Sequence, residues 1–182
     1  MYTTYTTFIG SSAGARRGRY RVNPFVVELA GEVAFLIRAE GGQLMSQNAE
    51  TTLVGWAGFL SSHDADRFLS LFTDDCVYED VAFGVVNRGK RELRTFIEGI
   101  FGAFPDFRID LKSHFVAGEW AAMEWVMTGT HEGDLAGMPA THKRFSIRGA
   151  SVVEFNSAQI KRISDYWDLA TFLKQLGLTP SV

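Results

Sequence analysis

The sequence predicts an α+β domain: a cone-shaped, curved antiparallel sheet with three helices towards the amino terminus and one at the carboxyl end. Two observations carry this expectation. Segments with apolar residues at helical spacing come first, and segments of alternating apolar and polar residues then follow one another, two of their connections being tight turns. That order excludes an alternating parallel architecture. A curved meander backed by helices encloses an interior, so a pocket is expected with the fold.

Spacing and caps place each element. Over Ala49 to Ser61, the apolar residues Leu53, Trp56, Ala57 and Leu60 recur at helical intervals. His63 and Asp64 break the pattern, and Asp64 is positioned to cap a second helix carrying Phe68, Leu71 and Phe72. CVYEDVAF then alternates as a short strand. GKRELRTFIEGIFGAF brings Leu93, Phe96, Ile97 and Ile100 to one face of a third helix, ended by Pro105. Four strands are expected next, FRIDLKSHFVAG, EWAAMEWVMTGTHEG, KRFSIRGASVVEFN and QIKRISDYWD, with turns near Gly118 and Ser157. DLATFLKQLG closes the chain as a helix, with Asp168 at its start and Gly177 at its end.

At 182 residues, 46% of them hydrophobic, the chain can bury one good core but not two. A net charge of -3 gives no reason to expect nucleic acid or an anionic membrane as partner. The single Cys76 excludes an internal disulfide and CxxC metal motifs, and charge interrupts every apolar run before it could span a bilayer. The body of the chain reads as cytoplasmic. The first residues differ: up to Asn23 they are rich in Thr, Ser, Gly and Arg, with ARRGRYR and no acid before Glu28. That composition suits a transit peptide or a disordered basic arm. FVVELAGEVAFLIRAEGG could form a short amphipathic helix, and GGQLMSQN supplies a flexible break. Residues 1–44 are therefore expected to be an appendage, and residues 45–182 the domain.

Period-two alternation sorts the strand faces. Met123, Trp125, Met127, Gly129 and His131 share one side; so do Ile147, Gly149, Ser151, Val153 and Phe155, then Ile163, Asp165 and Trp167. Tyr78 and Asp80 also fall together. These inward sets are apolar and aromatic with a few polar points, as a small-molecule pocket requires. Plain core packing would equally use Trp125, Met127, Val153 and Phe155. Asp165 is a site residue or a buried structural partner, Asp80 a site residue or a strand-end turn residue, and His131 a rim residue or a loop cap. A carboxylate among aromatics is costly unless bonded, paired or used.

LFTDDCVYEDVAFGVVNRGKRELRTFIEGIF resembles the stretch of ketosteroid isomerases and SnoaL-like proteins that delivers a general base. GTHEGDLAGMPATHKRFSIRGASVVEFNSAQIKRISDYWD resembles the SnoaL-like polyketide or ester cyclases, and SDYWDLATF the end of limonene-1,2-epoxide hydrolase. The resemblance covers about Ala49 to Leu178. It implies the nuclear transport factor 2-like (cystatin-like) cone and a homodimer through the open sheet face. Residue by residue, Asp80 falls on the isomerase base, Trp56 on their oxyanion-hole tyrosine, and Ser151 near their second oxyanion-hole acid. The acid of the cyclases also falls at Ser151. Tyr78, Asp80 and Asp165 match the tyrosine, asparagine and aspartate that hold water in the epoxide hydrolases, while Trp125 and Met127 replace their Arg and Asp. His142 stands where the cyclase turn has Gly.

Together these readings lead us to expect a small enzyme that needs no metal or organic cofactor and takes a small hydrophobic substrate, polyketide-, steroid- or terpene-like. Asp80, Asp165, Tyr78 and His131 are the expected catalytic groups, for isomerisation, cyclisation or hydration. Trp56, Trp125, Met127, Ser151, Phe155 and Trp167 are the expected binding residues. The alternative is a non-catalytic binding or assembly domain, for which the same fold serves.

Overall fold

The computed structural model describes residues 24–178. The basic arm expected up to Asn23 lies outside the described residues. By its contacts the chain divides into Met1–Gln43 and Leu44–Val182. The first helix, α1, is Pro24–Ser61, and its backbone continues through the break expected at GGQLMSQN. Gly disfavours helix by only about 1 kcal/mol per residue, and the flanking Ala, Glu, Gln, Leu and Met are strong helix formers, so the Gly pair weakens the helix without ending it. Among the described residues no helix is long and apolar enough to cross a membrane.

Past α1 the order is α2 (Ala65–Ser70), β1 (Phe72–Asp80), β2 (Val85–Arg88), α3 (Gly89–Ala103), β3 (Arg108–Ala117), β4 (Trp120–Thr130), β5 (Arg144–Asn156), β6 (Gln159–Trp167) and α4 (Leu169–Leu176). The caps fall where the sequence puts them. Asp64 accepts from the Arg67 N–H, Asp168 accepts from the Thr171 N–H, and Gly177 ends α4 with φ 70°, a left-handed conformation that Gly adopts without strain. Phe72 opens β1 instead of extending α2, because Leu71 already caps that helix. The strand at VVNR, β2, adds to the expected elements, so α3 follows two strands where one was expected.

Among the described residues six strands form one curved sheet in the order β2-β1-β6-β5-β4-β3. All its neighbours are antiparallel except one pair. The expected all-antiparallel sheet is corrected at β1 and β6, which run parallel with Asp80 beside Asp165. A parallel pair needs a long crossover, and here β2, α3 and the β3–β5 meander all lie between the two strands. Register shifts at Leu111/Ser113 and at Glu154/Phe155 mark bulges, which bend strands and help close a sheet over its concave face. On that face Met123, Trp125, Ile147, Val153 and Ile163 pack with Leu60, Leu93 and Ile97 from the helices. Fully burying side chains of this size is worth about 1.5–3 kcal/mol each.

Candidate active site

Cross-strand register builds the site. One row of partners crosses the sheet through Met123 on β4, Ser151 on β5, Asp165 on β6 and Asp80 on β1. The adjoining row is Trp125, Gly149 and Trp167. Because side chains two apart share a face, Tyr78 joins Asp80 on the concave side. The two carboxyl groups therefore sit on neighbouring strands, at the wall of a cavity of about 530 Å³ counting its open mouth. Tyr78, Asp80, Asp165 and Trp167 bring polar atoms to the lining; the rest of it is apolar, with Phe83, Phe96, Phe104, Met127, Phe145 and Phe172 prominent.

The two acids have different partners. Asp80 accepts from the Phe83 backbone N–H at 2.9 Å and from the Trp167 indole N–H, which lies 3.1 Å from one oxygen and 3.2 Å from the other. It thus also closes the turn into β2. Asp165 is met by hydroxyls: Tyr78 Oη donates to Oδ2, and Ser151 Oγ donates to Oδ1 at 2.6 Å. The indole N–H of Trp125 donates to Ser151 Oγ at 2.8 Å. An N–H can only donate and so favours a carboxylate, whereas a hydroxyl can turn round and accept from a carboxylic acid.

Burial raises both acids. Asp165 is pushed up to about 7, chiefly by desolvation and further by the charge of Asp80, against the opposing pull of the Ser151 and Tyr78 hydrogen bonds. Asp80 is also raised by desolvation, with the Phe83 and Trp167 donors pulling the other way. Burial and the neighbouring Asp165 carboxylate hold the Tyr78 phenol well above its usual range. Below about pH 7 the pair therefore holds at least one proton more readily than none.

The other expected residues are placed differently. Trp125 and Met127 line the cavity; Ser151 lies behind Asp165 and does not line it. Phe155 and Trp56 are fully buried and do not line it either. Trp56 tilts against Trp125 at 6.3 Å between ring centroids, and among the described residues its indole N–H has no partner. His131 is wholly buried against Phe104; its Nδ1 lies 3.2 Å from Thr141 Oγ1, its Nε2 has no partner among the described residues, and burial lowers its pKa. It is not brought to the carboxyl pair. His142 has φ 57°, a conformation that favours Gly, and its Nδ1 pairs with Glu132 at 2.7 Å. Sequence reasoning missed Phe145 and Phe172 as cavity walls. Their only signal is membership of an apolar face, which core residues share.

A curved sheet backed by helices around an apolar cavity is the architecture of the ketosteroid isomerase-like fold. The chain belongs to the SnoaL-like polyketide cyclase family, whose model matches residues 51–176. Among solved structures it is similar to a protein of Catenulispora acidiphila with a ketosteroid isomerase-like fold, solved with trimethylamine (20% identity, TM-score 0.63, covering 70% of this chain and 93% of that one). A SnoaL-like protein of Jannaschia sp. CCS1 matches at 14% identity and TM-score 0.68, covering 75% and 96%. An epoxide hydrolase of M. tuberculosis, of the limonene epoxide hydrolase-like type, matches at 21% identity and TM-score 0.60, covering 72% and 90%. A search of curated proteins found no match. At these identities the structural matches speak to the fold alone.

Proposed function

We propose that the protein is an acid-base enzyme that moves a proton at a carbon next to a carbonyl, in an isomerisation or ring closure of a small apolar substrate. The observation that supports this most is the contrast between the two carboxyl groups. Asp80, held by N–H donors, is the base that takes the substrate proton; Asp165, held by hydroxyls and raised to about 7, is the acid that answers charge developing on the carbonyl oxygen. The cavity supplies apolar walls and one polar end, which fits a substrate with a single carbonyl to place there.

The test needs no knowledge of the natural substrate. In deuterated water, a panel of apolar cyclic ketones should exchange the hydrogens next to the carbonyl faster with the protein present, and lose that acceleration with Asp80→Asn. Acceleration unchanged in Asp80→Asn, or absent across the panel, would overturn the reading. Terpene epoxides, in contrast, should survive incubation. Opening them by the limonene-type mechanism needs an Arg and a second acid where this chain has Trp125, whose N–H is engaged by Ser151, and Met127, which has no proton to give. Rapid diol formation abolished by Asp165→Asn would contradict that expectation.

A further inference from the structure

Four polar side chains form one run of hydrogen bonds beside the cavity, and its direction is fixed at one end. The Trp125 indole N–H can only donate. It donates to Ser151 Oγ, so that oxygen is an acceptor there, and the one proton of the hydroxyl goes on to Asp165 Oδ1. Asp165 Oδ1 is thereby held as an acceptor. Tyr78, on Oδ2, is the partner left free either to give or to take a proton. The sheet sets this polarity. Trp125 lies opposite Gly149, where any Cβ would overlap its six-membered ring, and with the ring laid over that glycine Nε1 reaches Ser151 two residues along β5.

We propose that Trp125, acting through Ser151, directs the proton of Asp165 to Oδ2 and so makes Tyr78 the group that hands a proton to the substrate oxygen. This rests on the functional reading above, with Asp165 as the acid. In the protonated state Oδ2–H donates to Tyr78 Oη, and the phenol's own O–H turns into the cavity that Tyr78 lines. On transfer, the Tyr78 O–H bond breaks as the substrate oxygen takes that proton. The Asp165 Oδ2–H bond breaks as Tyr78 is reprotonated, and Asp165 is left a carboxylate accepting from both hydroxyls. Asp80 has meanwhile gained the proton from carbon. The cavity carries one negative charge before and after the step, so no second charge is created where charge is costly to hold. Trp125 and Ser151 are positioning residues here, and Tyr78 is a catalytic one.

Infrared difference spectra of the ligand-free full chain, taken on either side of the Asp165 titration near 7, test this directly. The protonated-carboxyl C=O band that Asp165→Asn removes belongs to Asp165. Its carbonyl oxygen is expected to be Oδ1, bonded by Ser151. Ser151→Ala should therefore move the band to higher frequency, because the carbonyl loses its donor. Trp125→Phe should add a second band, because Ser151 becomes free to reverse and the proton to occupy Oδ1. A band unmoved in Ser151→Ala, or single and unmoved in a folded Trp125→Phe protein, overturns the relay; if Trp125→Phe does not fold, Ser151→Ala decides. Loss of no band in Asp165→Asn would instead remove Asp165 as the acid and with it the functional reading.

Discussion

Asp80→Asn is expected to lower the rate of proton transfer by roughly a hundredfold or more, the usual contribution of a general base. The substitution is chosen because it keeps the shape of the site. The Asn carbonyl can still accept from the Phe83 N–H and hold the turn into β2, so the loss should appear in turnover and not in folding. The wild-type pH profile should be bell-shaped. Activity rises as Asp80, itself raised above the ordinary carboxylate range, loses its proton; it falls as Asp165 loses its own near 7. A folded Asp80→Asn protein with full rate would remove Asp80 from the mechanism.

The second large effect is on stability. Asp165 is raised in the folded protein, so across the range between its unfolded and folded pKa values the folded state binds the extra proton. Stability from this group is present at low pH and is lost as pH rises through about 7. A gap of this size corresponds to about 4 kcal/mol between acid and mildly alkaline solution. His131 acts in the opposite sense: its pKa is lowered by burial, so its contribution is present above the unfolded value and is lost as pH falls. The comparison that isolates Asp165 is therefore wild type against Asp165→Asn. Denaturant unfolding from about pH 5 to pH 8 should show the wild type losing roughly 2–3 kcal/mol of stability relative to the variant, the rest of the loss falling between the unfolded value and pH 5. Parallel curves would mean that Asp165 keeps its charge when buried.

The expected results rest on features of unequal legibility in the sequence. Strands β4 to β6 were readable because each has one face on the core, so apolar and polar residues alternate; α3 was readable from its apolar stripe and Pro105, and α4 from its apolar stripe and caps. The inward positions of Tyr78, Asp80 and Asp165 followed from the same alternation. Strand β2 was not readable, since Val85 and Val86 are both exposed and Asn87 is the buried residue, the reverse of a strand signal. The parallel pairing of β1 with β6 was hidden for a different reason: alternation tells which face a residue takes but not which strand lies beside it. The hydrogen bond from Trp167 to Asp80 depends on that pairing, and the one from Trp125 to Ser151 on the β4–β5 register. Thus Ser151 was placed in the site by alternation and by family resemblance, while its part as a bridge between Trp125 and Asp165 was not apparent.

The parallel β1–β6 pair also bears on how the chain folds. Tyr78 and Asp165, like Asp80 and Trp167, are 87 residues apart in sequence, whereas the hairpins joining β3 to β4 and β5 to β6 each close over two residues. Closing a long loop costs more entropy than closing a short one, and contacts of high sequence separation slow the search. The meander from β3 to β6 should acquire its hydrogen bonds first, with β1 docking onto the finished edge of β6 afterwards. The carboxyl pair then comes into being only at the closing step of assembly. During refolding, amides of β4 and β5 are expected to gain protection from exchange before those of β1, and the reverse order would exclude this sequence of events.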